Sequence, residues 1–445
     1  MSKLGWIVIV TAAVSASSKQ VEAQTPGARQ SKPIALVHAY VHPVSQPSLE
    51  DATILFDGGK IIAVGKSVNL PPETTIIDAS GKHIYPGLFE AHSQMGLIEI
   101  SAVRATDDQS ETGAMNPNAK AQIAVNPESE IIPVTRSNGV LLALSAPVGG
   151  LVSGKSAVLQ LDGWTYEDMT IKSEAALQIE WPSLAEPTRG DAEERKKSRD
   201  VQQNALRDLN QLFGDAKAYV DTRKLNSPDQ AYDSRLEAMI PVIDGRLPIM
   251  VHADDVAQIE SAVGFAVDHN VRIILLGGYD APLCADLLRK HKVAVIVSSV
   301  YRLPRRAHEP VDHAYTLPKR LLDAKIKFCI SGSDRSETWN TRLLPYHAAT
   351  AVAYGLPPDE GLRAITLYVA EILGVAEQVG SLEANKDATL IVTNGDPLET
   401  TTQFEMAFIQ GRAVDLSNKQ TRLYEKYREK YRRIDAESAK PNPGE

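Results

Sequence analysis

Between residues 140 and 373 the chain repeats one pattern, a short continuous apolar run followed by a stretch of helical period. The apolar runs cover 140–144, 177–181, 249–252, 271–276, 293–300 and 327–330. The helical patterns between them include 195–212, 256–268, 282–291 and 358–373. Strands that are apolar on both faces belong in a parallel sheet covered by helices. The outer segments have a different grain. Residues 34–37, 52–56, 61–64 and 75–77 read as short strands punctuated by Asp57-Gly58-Gly59 and Gly65, and similar runs return at 388–392 and 406–409. Such punctuation marks hairpin turns. The expectation is an α/β chain whose residues 84–374 form a (β/α)8 barrel. Residues 33–83 and 375–416 would join into a small β-sandwich domain. With 84–90 included, seven barrel strands can be placed, and the eighth is expected within 183–247. Residues 417–445 form a charged helix and tail, in which 421–434 reads as a helix packed on the body.

Residues 1–23 have the layout of a secretory signal peptide: Lys3, then an apolar run from Leu4 to Val14, then Val21-Glu22-Ala23 before Gln24. That run is too short to cross a bilayer core of roughly 30 Å as a helix, and no later stretch is long enough to span a membrane. No cysteine lies near the cleavage point, which argues against a lipid anchor. Export to a periplasm or beyond is expected, with 24–32 as a linker. The net charge of −9 lacks the basic footprint of a nucleic-acid binder, so a small-molecule substrate is the default partner and a homo-oligomer stays open. The two cysteines, Cys284 and Cys329, exclude a disulfide framework and a zinc site built on thiolates. Each sits in an apolar stretch and reads as packing.

Two kinds of motif carry candidate chemistry. Gly149-Gly150-Leu151-Val152-Ser153-Gly154-Lys155-Ser156 satisfies the phosphate-loop pattern, in which Lys155 would meet phosphates and Ser156 a magnesium ion. That mechanism needs a helix starting at the lysine, and Ala157-Val158-Leu159-Gln160-Leu161 reads as strand or loop, so the match is treated as a decoy. The second kind recurs at strand ends. An apolar strand runs into His92 and Gln94, two residues apart and so on one face. Another ends at His252 and is followed by Asp254 and Asp255, and a third leads to Asp334. Barrels gather functional groups at the C-terminal ends of their strands, so these residues converge in the expected fold. Asp254, Asp255 and Asp280 are further oxygen donors, for which a solvated helix start is the plainer reading.

On these residues the chain resembles the metal-dependent amidohydrolase superfamily, in particular its exported imidazolonepropionase-like members. Pro86-Gly87 leading to His92-Ser93-Gln94 stands where that family has a His-x-His pair, and Lys386-Asp387 through Gly395-Asp396-Pro397 matches its re-entry into the β domain. The resemblance implies a barrel holding one or two divalent metals. It makes His92 and His252 metal ligands and makes Asp334 a ligand and the general base and acid. Two positions depart from the family pattern: Gln94, a weak ligand, replaces the second histidine, and the sixth strand ends in Gly277-Gly278 instead of a histidine. No fourth-strand lysine is evident. The set implies one zinc ion, or none. Two functions stay open: hydrolysis of an amide or cyclic carbon–nitrogen bond by metal-activated water, and a silenced binding protein that keeps only the fold. The long polar segment 99–130 is expected to shape the pocket.

Overall fold

The computed structural model of the protein describes residues 25–186, 190–225, 231–332 and 338–438, so the leader assigned to residues 1–23 lies outside the described residues. Two sheets meet at Pro86-Gly87-Leu88. Before that step run β1 (Ile34–Val41), β2 (Leu49–Asp57), β3 (Lys60–Gly65), β4 (Thr75–Asp78) and β5 (His83–Pro86). After it come β6 (Leu88–Ser93), β7 (Val140–Ser145), β8 (Val152–Gln160), β9 (Thr170–Glu180), β10 (Ile249–Ala253), β11 (Ile273–Gly277), β12 (Ala294–Val297) and β13 (Phe328–Ile330). The chain then returns to the first sheet as β14 (Leu390–Thr393), β15 (Phe404–Ile409) and β16 (Arg412–Ala413).

The first sheet has the order β16-β15-β14-β5-β1-β2-β3, with β4 paired to β1. Phe56 of β2 and Phe408 of β15 are separated by three strands in that order, yet their rings meet edge to face with centroids 5.1 Å apart. The sheet is therefore folded over on itself as a sandwich, around Leu36, Ile54, Phe56, Ile61, Ile84 and Leu390. The Gly58-Gly59 turn joins β2 to β3 with both residues in the left-handed region, at φ 55° and 81°, which glycine adopts without a steric penalty. The segment expected as one strand over 84–90 is two. Gly87 breaks it, because its N–H is donated to Thr389 of the returning chain and a Cβ there would press on Leu141 at 3.0 Å.

The second sheet runs β6 to β13 in chain order. Its neighbours are parallel except that β8 lies antiparallel to both β7 and β9. Thus the eighth barrel strand is β8, and not a strand within 183–247. The described residues of 183–247 carry instead the helices Ala192–Lys224 and Ser234–Ile243. Ser153, Lys155, Ser156 and Gln160 interrupt the apolar pattern of β8, although all nine of its residues are buried. Where a helix follows a strand, local signals agree with the fold. Asp255 caps the helix Val256–His269 through a reciprocal bond with Gln258, and Ile259, Ala262, Val263 and Phe265 pack inward. Both cysteines are free and buried.

The seam between β13 and β6 has no strand ladder, and the described residues close it with a carboxylate. Glu90 of β6 is wholly buried. Ser331 Oγ and the N–H of His92 donate to its Oε1, and the Gly332 N–H donates to Oε2 at 2.9 Å. Ser331 Oγ also lies 3.1 Å from the His92 carbonyl.

The C-terminal helix, Lys419–Ser438, was expected to pack and does not. Tyr424, Tyr427, Tyr431 and Ile434 are all exposed. It is held as a helix from within, by Arg428–Glu425 and Arg432–Glu429 pairs and by Arg428 and Lys430 over the tyrosine rings. No helix of the described residues is long and apolar enough to cross a membrane.

Burial raises the Glu90 pKa to about 7 against the hydrogen bonds it accepts, so the folded state holds this proton more firmly than the unfolded chain. Its contribution to stability is fully present below about pH 4.5 and is lost as pH rises through about 7. Glu90→Gln, which cannot titrate, is expected to flatten the pH dependence of unfolding between those limits. Glu90→Ala is expected to cost about 3 kcal/mol, because the His92 and Gly332 N–H groups lose a buried acceptor at about 1–3 kcal/mol each, while Ser331 keeps the His92 carbonyl. Urea denaturation across pH 4 to 8 measures both effects.

Candidate active site at the strand ends

Because β6, β9, β10, β11 and β12 are parallel, their C-terminal ends open at one face of the barrel. There they surround a cavity of about 70 Å³ that includes His92, Glu180, His252, Leu276 and Ser298. Antiparallel β8 brings its first residues to the same face, so Ser153 joins the wall and the preceding Pro147–Val148–Gly149 turn forms the rim. The 99–130 segment does not itself line the cavity. It holds the rim from behind, since Gln109 accepts from the Val148 N–H and Ala114 accepts from the Leu151 and Val152 N–H groups.

The sequence placed His92 and His252 at strand ends, and both line this cavity. His92 is almost wholly buried, and burial pushes its pKa down to about 4. The neighbouring His252 lowers it further while Glu180 opposes. His92 is therefore neutral near pH 7, with a lone pair on its ring. His252 Nδ1 lies 3.0 Å from Glu180 Oε2 and 3.1 Å from Oε1. A carboxylate accepts only, so Nδ1 carries the hydrogen of this bond. Glu180 is a residue the sequence reasoning missed. A glutamate at the end of a strand looks like a solvent-facing residue, and the signal available was its position, which repeats that of His252 one strand over.

Gln94 is buried and does not line the cavity, and among the described residues neither Oε1 nor Nε2 has a hydrogen-bond partner. An orphaned buried amide costs about 1–3 kcal/mol, which a bound ligand would recover. Asp334 lies outside the described residues. Asp255 is a helix cap, as the plainer reading had it. Asp254 and Asp280 are engaged by arginines: Arg302 bonds both oxygens of Asp254 at 3.1 and 2.6 Å, and Arg306 Nη1 bonds Asp280 at 2.9 Å. The phosphate-loop match is a strand. Lys155 is buried in β8 and paired with Glu174 at 2.9 Å, and Ser156 Oγ donates to the Ala176 carbonyl.

Among the described residues no group of three His, Cys, Asp or Glu side chains is arranged to hold a metal ion. Two imidazoles facing one cavity, with a carboxylate orienting the second, form a donor set suited to one divalent cation. They do not suit two. Gly277, at the end of β11, carries no side chain, and a Cβ there would stand 2.6 Å from Asp254 Oδ1.

The profile of the amidohydrolase family matches residues 182–416. The chain is 24% identical over 385 residues to the amidohydrolase tasK of Hapsidospora irregularis, covering 78% of this chain and 38% of that protein's length. It is 24% identical over 366 residues to an imidazolonepropionase of Mesorhizobium japonicum, covering 77% of this chain and 86% of the relative. The crystal structure of an amidohydrolase from Thermotoga maritima superposes with a TM-score of 0.77 at 24% identity, over 86% of this chain and 99% of that one.

Lys155→Ala is expected to lower stability by about 1–3 kcal/mol, by removing one partner of a largely buried pair. Millimolar MgATP should leave the melting temperature of both proteins unchanged. A nucleotide-dependent rise in the wild type alone would restore the phosphate-loop reading.

Proposed function

The chain belongs to the amidohydrolase family, and from that premise we propose that it is a hydrolase of an amide or cyclic carbon–nitrogen bond in a small molecule, dependent on one divalent cation. The observation that carries this reading is the meeting of His92 and His252 in one cavity at the C-terminal strand ends. His92 and His252 would hold the cation, with Asp334 as a third ligand and Gln94 as a weak one. Zinc suits two imidazoles and a carboxylate best. When bound, such an ion supplies Lewis acidity at a carbonyl oxygen and makes water a stronger acid.

The chain's own groups do the rest. Burial keeps His92 unprotonated, so its lone pair is available across the neutral range. Glu180 fixes the tautomer and the ring plane of His252. Asp334 accepts the proton of the attacking water and returns it to the leaving nitrogen, which balances the hydrolysis without a further co-reactant. Met250, Ile179 and Leu276 supply the apolar part of the wall. Export to a periplasm or beyond is part of the proposal and rests on residues 1–23.

A panel of small amides, lactams and cyclic ureas or imidazolones tests the activity. His92→Ala and His252→Ala are each expected to lower kcat/KM on the order of 10³-fold, corresponding to about 4 kcal/mol of lost transition-state stabilisation. Glu180→Gln is expected to weaken cation affinity about 10–100-fold with the fold unchanged. Ligand binding by calorimetry with no turnover across the panel, cation supplied, would favour the silenced binding protein.

A further inference from the structure

Gln178 lies on β9 two residues before Glu180, so the two side chains point to the same side of the sheet. The β9–β10 register sets Glu180 beside His252 and Gln178 beside Met250. Gln178 therefore stands one pleat below the level of the histidine, roughly 7 Å deeper at the rise of a strand. It is buried, yet it lines the same cavity as His92 and His252.

The Gln178 amide is oriented by two hydrogen bonds in series. Ser156 of β8, which ends the phosphate-loop match, donates its one hydroxyl hydrogen to the Ala176 carbonyl at 3.2 Å, so its oxygen is left to accept. Gln178 Nε2 donates to that oxygen at 2.9 Å. Turning the amide over would set Oε1 against the Ser156 lone pairs, which is unfavourable inside a barrel. The nitrogen is thus held toward β8. Oε1 accepts from none of the described residues and stands at the cavity wall with a fixed sense, as an acceptor. The hydroxyls of Ser153 and Ser298 share the wall, but a hydroxyl turns to donate or to accept and so selects neither.

We infer that Gln178 is a specificity-determining residue whose Oε1 accepts an N–H of the substrate, so that the substrates are cyclic amides and ureas with an unsubstituted ring nitrogen. A single small ring is long enough to span the depth between the histidine level and Gln178. An N-alkylated analogue would leave Oε1 desolvated and without a donor. A site built to receive a donor rejects the analogue that lacks it far more strongly than an apolar pocket rejects an added methyl group.

The inference rests on the hydrolase reading only for the class of compounds, because binding is read apart from turnover. The test is titration calorimetry of the purified protein, supplied with zinc, against two matched pairs of probes. These are γ-butyrolactam with its N-methyl derivative and ethyleneurea with its N,N′-dimethyl derivative, with kcat/KM taken for any that turn over. Wild type should bind each N–H compound on the order of 10²-fold more tightly than its methylated partner. Gln178→Met, which keeps the volume and removes the acceptor, should bring each pair within about threefold. Ser156 keeps its bond to Ala176 in that variant. If it does not fold, Gln178→Met with Ser156→Ala, which removes both partners of the buried bond, takes its place. A preference that persists in the folded variant overturns the inference, since a steric filter would survive the substitution. Equal binding of both members of each pair by the wild type, or binding of none, also overturns it. Turnover of methylated and N–H compounds alike overturns it while leaving the hydrolase reading intact. A wild-type preference lost in the variant, with no turnover of any probe, supports the inference and favours the binding protein over the hydrolase.

Discussion

A buried carboxylate at an unladdered seam organises this barrel. Seven of the eight neighbour contacts around it are backbone ladders, while between β13 and β6 the described residues join through Glu90, Ser331 and Gly332. The same carboxylate accepts the N–H of His92, so the group that closes the barrel also sets the backbone of the first cavity histidine. Its burial is tolerated because three donors converge on it, and burial without them would be prohibitive. Fold and site are thus coupled through one residue, two positions before His92.

The second constraint is the reversed strand. With β8 antiparallel, β7, β8 and β9 form a meander within an otherwise parallel barrel. A parallel strand there would require a crossover helix over the outer face. The meander removes that crossover and places the Pro147–Val148–Gly149 turn on the functional face. It also gives β9 eleven residues, whose last, Glu180, comes beside His252. The carboxylate that orients the second histidine is therefore a product of the meander's register.

Much of this was legible in the sequence, for physical reasons. Strands such as Ile249–Ala253 are apolar on both faces, and the Asp255 and Gln258 cap announces the helix that follows. His92 and His252 stood out because a polar side chain that closes an apolar strand falls at the mouth of a barrel, where functional groups gather. What stayed hidden was polar and buried. Ser153, Lys155, Ser156 and Gln160 concealed β8 behind a nucleotide-loop pattern, since the partners of Lys155 and Ser156 lie on the next strand, about 20 residues on. Buried Glu90 was concealed likewise, and so was half-exposed Glu180, because nothing local distinguishes a glutamate with three donors or an imidazole waiting for it. Asp254 was weighed as a solvated residue, and its arginine partner lies 48 positions away. The C-terminal helix misled in the opposite sense: an apolar face implies packing, yet short-range ion pairs suffice to keep it helical in solvent.

The central claim is that the strand ends hold one cation between His92 and His252. Anomalous diffraction at the zinc edge, from crystals of the zinc-loaded protein, locates each ion directly. A single peak within about 2.0–2.1 Å of ring nitrogens of both histidines is the predicted result. Two peaks, or a peak bound to neither histidine, would contradict the account.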